Sequence, residues 1–177
     1  MDSMHLSMSW DTFLKDIKEM KAHSDSIDDD WLLNQGRNHE YGAYLSKKLV
    51  NCFSTSLSTD TPEKSDSLIT FDYHVVYNPS YGCPVLCFNA WEMNGSLLTI
   101  EQCWKQFNLA NFDYKYHTLT QMEHPVLMKP FITLHPCKTT ELVQLFANSK
   151  NVVVSWLSTV GPVVGLNISS HYAKLTN

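Results

Sequence analysis

The sequence predicts an α+β fold built on an antiparallel sheet. Three observations carry that reading: an amphipathic helical repeat at the start of the chain, strand-like segments that follow one another through its middle, and helical repeats again after residue 138. Strands that run in sequence, rather than alternating one by one with helices, pair antiparallel.

Each element follows in order. Trp10, Phe13, Leu14 and Ile17 share one helical face, with Lys15, Asp16 and Lys18 opposite, so a helix starts near Ser9. Residues 23 to 40 are polar and read as irregular. Tyr41 to Phe53 reads as a strand with imperfect alternation. Residues 54 to 67, mostly Ser, Thr and Asp with one Pro, read as a flexible excursion with too little apolar surface to order itself. Leu68 to Tyr77 is rich in aromatic and β-branched residues and predicts a strand. The turn Asn78-Pro79-Ser80-Tyr81-Gly82 and a returning strand from Pro84 to Trp91 make a hairpin. Asn94-Gly95 signals a tight turn. Thr99 with Gln102 forms a capping box before a helix whose apolar face is Ile100, Cys103, Trp104 and Phe107. Residues 108 to 130 read as a long connection. The apolar run Phe131 to Leu134 is a strand end, and Lys138 to Leu142 reads as a helix start. Leu142, Leu145 and Phe146 predict one short helical face; Val153, Trp156, Leu157 and Val160 predict another, stopped by Gly161-Pro162.

The 177 residues suit a single domain over 1–177. A hydrophobic content of 44% against 18% charged residues marks it as globular. The net charge of −5, with no basic run longer than Lys47-Lys48, argues against a nucleic-acid partner. No apolar stretch approaches the ~20 residues of a membrane span. Met1-Asp2-Ser3-Met4-His5 lacks the features of a signal peptide, which places the chain in the cytoplasm. The five cysteines are then free thiols, and the sequons at Asn94 and Asn167 chance matches.

One cysteine stands apart. Cys137 closes His135-Pro136-Cys137 between a strand end and a helix start. A helix N-terminus and the Lys138 cation both favour thiolate, the nucleophilic form. Pro136 fixes its own φ and stiffens the loop. His135 is placed to support the loop or to handle a proton, although a purely structural histidine accounts for it as well. For Cys137 the plainer reading is a small buried hydrophobe. Cys83 and Cys87 invite a metal reading with Cys103 and His74, but four residues of strand span roughly 13 Å, too far for sulfurs that sit ~2.3 Å from one zinc. Both read as strand-packing residues. His124 and His117 are candidate bases for Cys137 as in a cysteine hydrolase, although His124 before Pro125 reads more simply as an extended loop residue. Phe71, Tyr73, Tyr77 and Tyr81 read as cross-strand packing, with Tyr77 and Tyr81 flanking the turn where a phenol is available to a partner. No glycine-rich phosphate loop is present, so no nucleotide cofactor is expected.

Several motifs then agree in order. Glu123-His124-Pro125-Val126-Leu127, Pro130-Phe131 and Leu134-His135-Pro136-Cys137-Lys138-Thr139 resemble the catalytic region of the autophagy E2-like conjugating enzymes. Tyr73-His74-Val75-Val76-Tyr77, Ser80-Tyr81, Pro84-Val85-Leu86, Ser155-Trp156-Leu157-Ser158, Val160 through Leu166 and Tyr172-Ala173-Lys174 resemble the branch of autophagy-related protein ten. The resemblance covers residues 68 to 174; the first 67 match loosely. It implies an E2-like core, an antiparallel sheet of about four or more strands flanked by helices, lacking the additional C-terminal helices of ubiquitin E2s. It implies a transferase of the autophagy ubiquitin-like conjugation pathway. Cys137 accepts the C-terminal glycine of the ubiquitin-like autophagy-related protein twelve as a thioester, from the E1-like protein seven. A lysine of autophagy-related protein five then takes it, with the hairpin around 73 to 90 as the contact. Some relatives carry an asparagine two residues before the cysteine, a position occupied here by His135; their strand tyrosine falls at Tyr77. The rival readings are a cysteine hydrolase that removes a ubiquitin-like modifier and a catalytically silent E2-like adaptor.

Overall fold

The computed structural model describes residues 7–37, 40–54, 66–109, 118–136 and 139–177, with side chains at all of these except 53, 54, 66 and 67. Helix α1 (Trp10–Ser26) begins where the sequence places it, with the Ser9 side chain accepting from the Thr12 amide at 3.1 Å. It runs past the expected irregular boundary at 23 and buries Phe13, Ile17 and Met20. Burying three such side chains is worth about 2 kcal/mol each, far more than the tenths of a kcal/mol per residue by which propensities differ.

Among the described residues six strands form one antiparallel sheet. They are β1 (Leu32–Gln35), β2 (Ala43–Ser54), β3 (Asp66–Asn78), β4 (Cys83–Glu92), β5 (Leu119–Glu123) and β6 (Pro130–Leu134), arranged β1-β2-β3-β4-β6-β5. β1 corrects the irregular reading of residues 23 to 40, and β5 corrects the long connection of 108 to 130. Both are short edge strands carrying polar residues, so neither shows a strand period in sequence. The β2–β3 and β3–β4 ladders hold ten register pairs each. The β4–β6 ladder holds only Cys87↔Thr133 and Phe88↔Ile132. The tip of the expected excursion, 55–65, lies outside the described residues; its two ends continue the β2–β3 ladder to Ser54↔Asp66.

Alternation gives the sheet two faces. Leu45, Phe71, Tyr73, Val75, Leu86, Phe88 and Ile132 face the main core. Above them lie α1, α2 (Ile100–Gln106) with Cys103 and Trp104, and α4 (Val152–Val160) with Val153, Trp156 and Leu157. α2 opens with the predicted capping box. The other face carries a smaller cluster of Tyr44, Val76, Cys83, Val85, Cys87 and Phe131, covered by Val126. Cys103 therefore lies in a different cluster from Cys83 and Cys87.

Helix α3 (Thr139–Leu145) follows β6 and packs on β4. Val143 is buried and Leu142 and Phe146 pack against the main core as expected, while Leu145 is exposed, so the inward face takes Val143 in place of Leu145. Asp16 joins α1 to α4: one carboxylate oxygen accepts from the Val152 and Val153 amides at 2.8 and 3.2 Å. Gly161-Pro162 stops α4 as expected: the α-helix ends at Val160 with Gly161 as its C-cap. The backbone tightens into a 3-10 turn, Gly161–Val164, with Pro at its start, and the left-handed residue that ends it is Gly165 at φ 75°. A second 3-10 turn, Ser170–Leu175, buries Tyr172. The indoles of Trp31 and Trp156 are fully buried, and their N–H groups have no hydrogen-bond partner among the described residues. No helix among the described residues is long and apolar enough to cross a membrane.

Candidate functional site

Cys137 and Lys138 lie outside the described residues, as does His117; the structure describes what brackets them. β6 runs antiparallel to β4, so its C-terminal end advances toward the start of β4 and the β3–β4 turn. The His135 amide donates to the Thr118 carbonyl at 3.0 Å, extending the β5–β6 ladder one residue past the strand. Pro136 is buried, and on the far side Thr139 is buried at the first position of α3. The Thr140 hydroxyl hydrogen-bonds the Cys83 thiol, whose pKa burial pushes up to about 11. Cys83 is thus an inert neutral thiol beside the segment that leaves residue 138. An open groove of about 280 Å³ separates α3 from the N-terminal strap, lined by Met8, Val143, Gln144 and Ala147 among others.

Tyr77 sits at the same end of the sheet but not as an available phenol. It is 7% exposed and its O–H donates to the Met8 carbonyl at 2.8 Å. Its ring packs among Trp10, Phe13 and Tyr41 at centroid separations of 5.5 to 5.7 Å. Burial, and then the nearby Tyr41 and Cys83, raise its pKa. The reason is its register: Tyr77 shares the odd positions of β3 that face the main core, and α1 closes over it. Tyr81, in the turn, is the exposed one. The Met8 amide also donates to the Gly82 carbonyl at 2.8 Å, so Met8 is tied to the hairpin twice.

A second cluster was not visible in the sequence. On the smaller face, His74 Nδ1 lies 3.0 Å from His124 Nε2, and His74 Nε2 lies 3.3 Å from the Asp72 carboxylate. His124 Nδ1 accepts from the Val126 and Leu127 amides, both at 3.1 Å. His124 is therefore a buried anchor rather than the extended loop residue expected, and both of its ring nitrogens are engaged. Burial, followed by the neighbouring His74, lowers its pKa to about 3. The three residues span β3 and a turn fifty positions away, which no local period could reveal.

The chain matches the profile of the family described as "Autophagocytosis associated protein, active-site domain" over residues 8–171. It belongs to that family. The match takes in the N-terminal sixty residues that carry none of the quoted motifs. Among curated relatives, a human protein named "Ubiquitin-like-conjugating enzyme ATG10" is 41% identical over 64% of this chain and 56% of its own length. Proteins of the same name from Arabidopsis thaliana and Dictyostelium discoideum are 35% and 32% identical, over 55% and 62% of this chain and 50% and 56% of their own lengths. The chain spans about half the length of the curated relatives it matches.

Proposed function

We propose that this protein is an E2-like acyl transferase of the autophagy conjugation pathway, acting in the cytoplasm, with Cys137 as its nucleophile. The observation that carries the reading is a His135-Pro136-Cys137 motif set between β6 and α3 in a chain whose family is described by its active site and whose relatives are named as ubiquitin-like-conjugating enzymes.

In this mechanism the Cys137 thiolate attacks the thioester carbonyl that joins the glycine terminus of autophagy-related protein twelve to the E1-like protein seven. The new carbon–sulfur bond forms as the E1 thiolate leaves. Because one thioester replaces another, the step needs no nucleotide. A lysine amine of autophagy-related protein five then attacks; an isopeptide bond forms, the Cys137 thiolate leaves, and the amine's proton passes to solvent or to a side chain. A lysine stands about three units above neutrality in water, so the site must desolvate or aim it. His135 supports the loop through the hydrogen bond its backbone amide donates to the Thr118 carbonyl. Tyr77 contributes by holding Met8, and with it the N-terminal strap, against the hairpin that faces the acceptor.

The hydrolase reading needs a histidine base beside the sulfur. His124 does not supply one, since Val126, Leu127 and His74 occupy both ring nitrogens.

The test is a charging assay with the E1-like protein seven, the ubiquitin-like protein twelve and ATP, run on a non-reducing gel. A thiol-sensitive adduct is expected, converted by Cys137→Ser to a thiol-resistant ester and lost in Cys137→Ala. Charging that persists in Cys137→Ala overturns the assignment. An uncharged wild-type protein beside a charged E1 favours the adaptor reading instead.

A further inference from the structure

The hairpin formed by β5 and β6 is thinly attached to the sheet. Among the described residues β5 pairs only with β6, and β6 joins β4 through two register pairs, against ten on each side of β3. Yet β6 ends at the segment that holds His135, Pro136 and Cys137. Something besides the ladder must fix the hairpin's height on the sheet.

The turn between the two strands does so. The His124 amide donates to the Lys129 carbonyl at 2.8 Å, and the Met128 amide to the His124 carbonyl at 3.0 Å. The turn then folds over the smaller face of the sheet. The His124 ring lies 4.8 Å from Phe131 on β6, 5.1 Å from His74 on β3 and 5.2 Å from Tyr44 on β2, measured between ring centres. Beyond it, Val126 rests against Gly36, so closely that a Cβ at Gly36 would come within 2.3 Å of it.

The polar tie in this contact has one consistent proton arrangement. Two backbone amides point at His124 Nδ1, which must therefore be an acceptor. The ring's proton is then on Nε2 and is donated to His74 Nδ1. His74 carries its own proton on Nε2, facing Asp72. A proton gained by His124 at Nδ1 sets donor against donor at the two amides. The ionisable groups around the pair are Asp72 on β3, Tyr44 on β2 and Cys87 on β4, the last donating weakly to the His74 carbonyl at 3.7 Å. Among the described residues facing the pair only Asp72 offers a negative charge, and it lies on the far side of His74. A metal bridging the two rings is incompatible with the same pattern, because His124 would have to lose its remaining proton.

We propose that His124 is a positioning residue: paired with His74 as two neutral imidazoles, it clamps the β5–β6 hairpin to the centre of the sheet and so sets the end of β6 from which the cysteine segment departs. The clamp opens when His124 is protonated. Its link to transfer rests on the Cys137 reading; the clamp itself does not.

Hydrogen exchange of the Val126, Leu127 and Ile132 amides, corrected for intrinsic rate, reads the clamp directly. With His124 at its ordinary 6.5 when released and about 3 when clamped, the opening constant should rise about tenfold from pH 7.5 to 5.5. His74→Leu removes the acceptor and should speed opening at pH 7.5 by tenfold or more. His74→Asn puts an amide oxygen near the position of Nδ1 and should restore slow opening. His124→Asn keeps an acceptor for the turn amides but cannot reach His74; it should open fast and lose the pH step. In the charging assay at pH 7.5, His74→Leu and His124→Asn should charge several-fold more slowly, with His74→Asn close to wild type. Unchanged Ile132 exchange in His74→Leu, or a wild type with no pH step, overturns the clamp. Faster exchange with unchanged charging overturns the positioning role. If His74→Leu does not fold, the wild-type pH step and His74→Asn decide. A wrong Cys137 assignment shows separately, as charging by Cys137→Ala with exchange unaltered.

Discussion

Asp16 is the residue on which two helices meet. It is 1% exposed, accepts from the first two amides of α4, and its backbone carbonyl accepts from the Asn151 side chain at 2.9 Å. Asn151 in turn caps the Val154 amide at 2.9 Å. Lys15 lies 3.8 Å away but is mostly exposed, and such pairs contribute little. The capping bonds matter more, because an amide at a buried helix end costs 1–3 kcal/mol when left unpaired. Asp16→Ala should therefore lower stability by about 2 kcal/mol, seen as a lower urea midpoint at unchanged m-value. Burial raises the Asp16 pKa, outweighing the two amides. Its folded state thus holds a proton more firmly than the unfolded chain, and its contribution declines as pH rises from 3.8 through that higher value. Asp16→Asn, which keeps one acceptor, should remove that trend.

At the scale of elements, the close approaches are as informative as the strands. Gly161 has ordinary helical angles, so its φ does not require glycine. Its position does: a Cβ there would fall 2.4 Å from the Leu166 carbonyl oxygen, backbone that cannot step aside. Gly161→Ala should cost about 2–3 kcal/mol, whereas Gly95→Ala, with open space around it and only a φ of 85° to oppose it, should cost about 1 kcal/mol. Thermal melts of the two variants check the order. The long elements were legible from their own local residues: the Trp10-Phe13-Ile17 stripe, the aromatic and β-branched run of β3 with its turn and returning β4, and the Thr99–Gln102 box all appear where the sequence puts them. β1 and β5 were not. Leu32 and Leu33 are both exposed, and Thr120, Gln121 and Glu123 alternate nothing apolar. What makes them strands is the neighbour each one pairs with, a tertiary fact. The same holds for the site. His135-Pro136-Cys137 is a contiguous motif and could be read, while His74 and His124 meet only once the turn has folded over the sheet.

For the molecule as a whole, three groups shape the response to acid. His124 is held below its ordinary 6.5, so the unfolded chain binds more protons and stability falls as pH drops from about 6.5 toward 3. Asp29, paired with Lys47 and the Tyr172 hydroxyl, has a lowered pKa; its contribution is present above 3.8 and is lost below that value. Asp16 runs the other way. The earliest loss should therefore come from the histidine, near 1 kcal/mol between pH 7 and 5.5. Urea midpoints across that range should fall in the wild type and fall less in His124→Asn.

The two indoles sealed in the interior have an optical consequence. Trp31 lies with Lys47 over its ring at 5.8 Å and Trp156 within α4 against the main core, both shut off from water and without a hydrogen-bond acceptor among the described residues. An excited indole in such surroundings has little solvent dipole to relax against, so both should emit toward the blue and resist quenching by iodide. They report on different elements around one core, Trp31 just before β1 and Trp156 within α4. Replacing each in turn by phenylalanine would separate their light, and would reveal whether the edge of the sheet and the helical layer come apart together or one before the other.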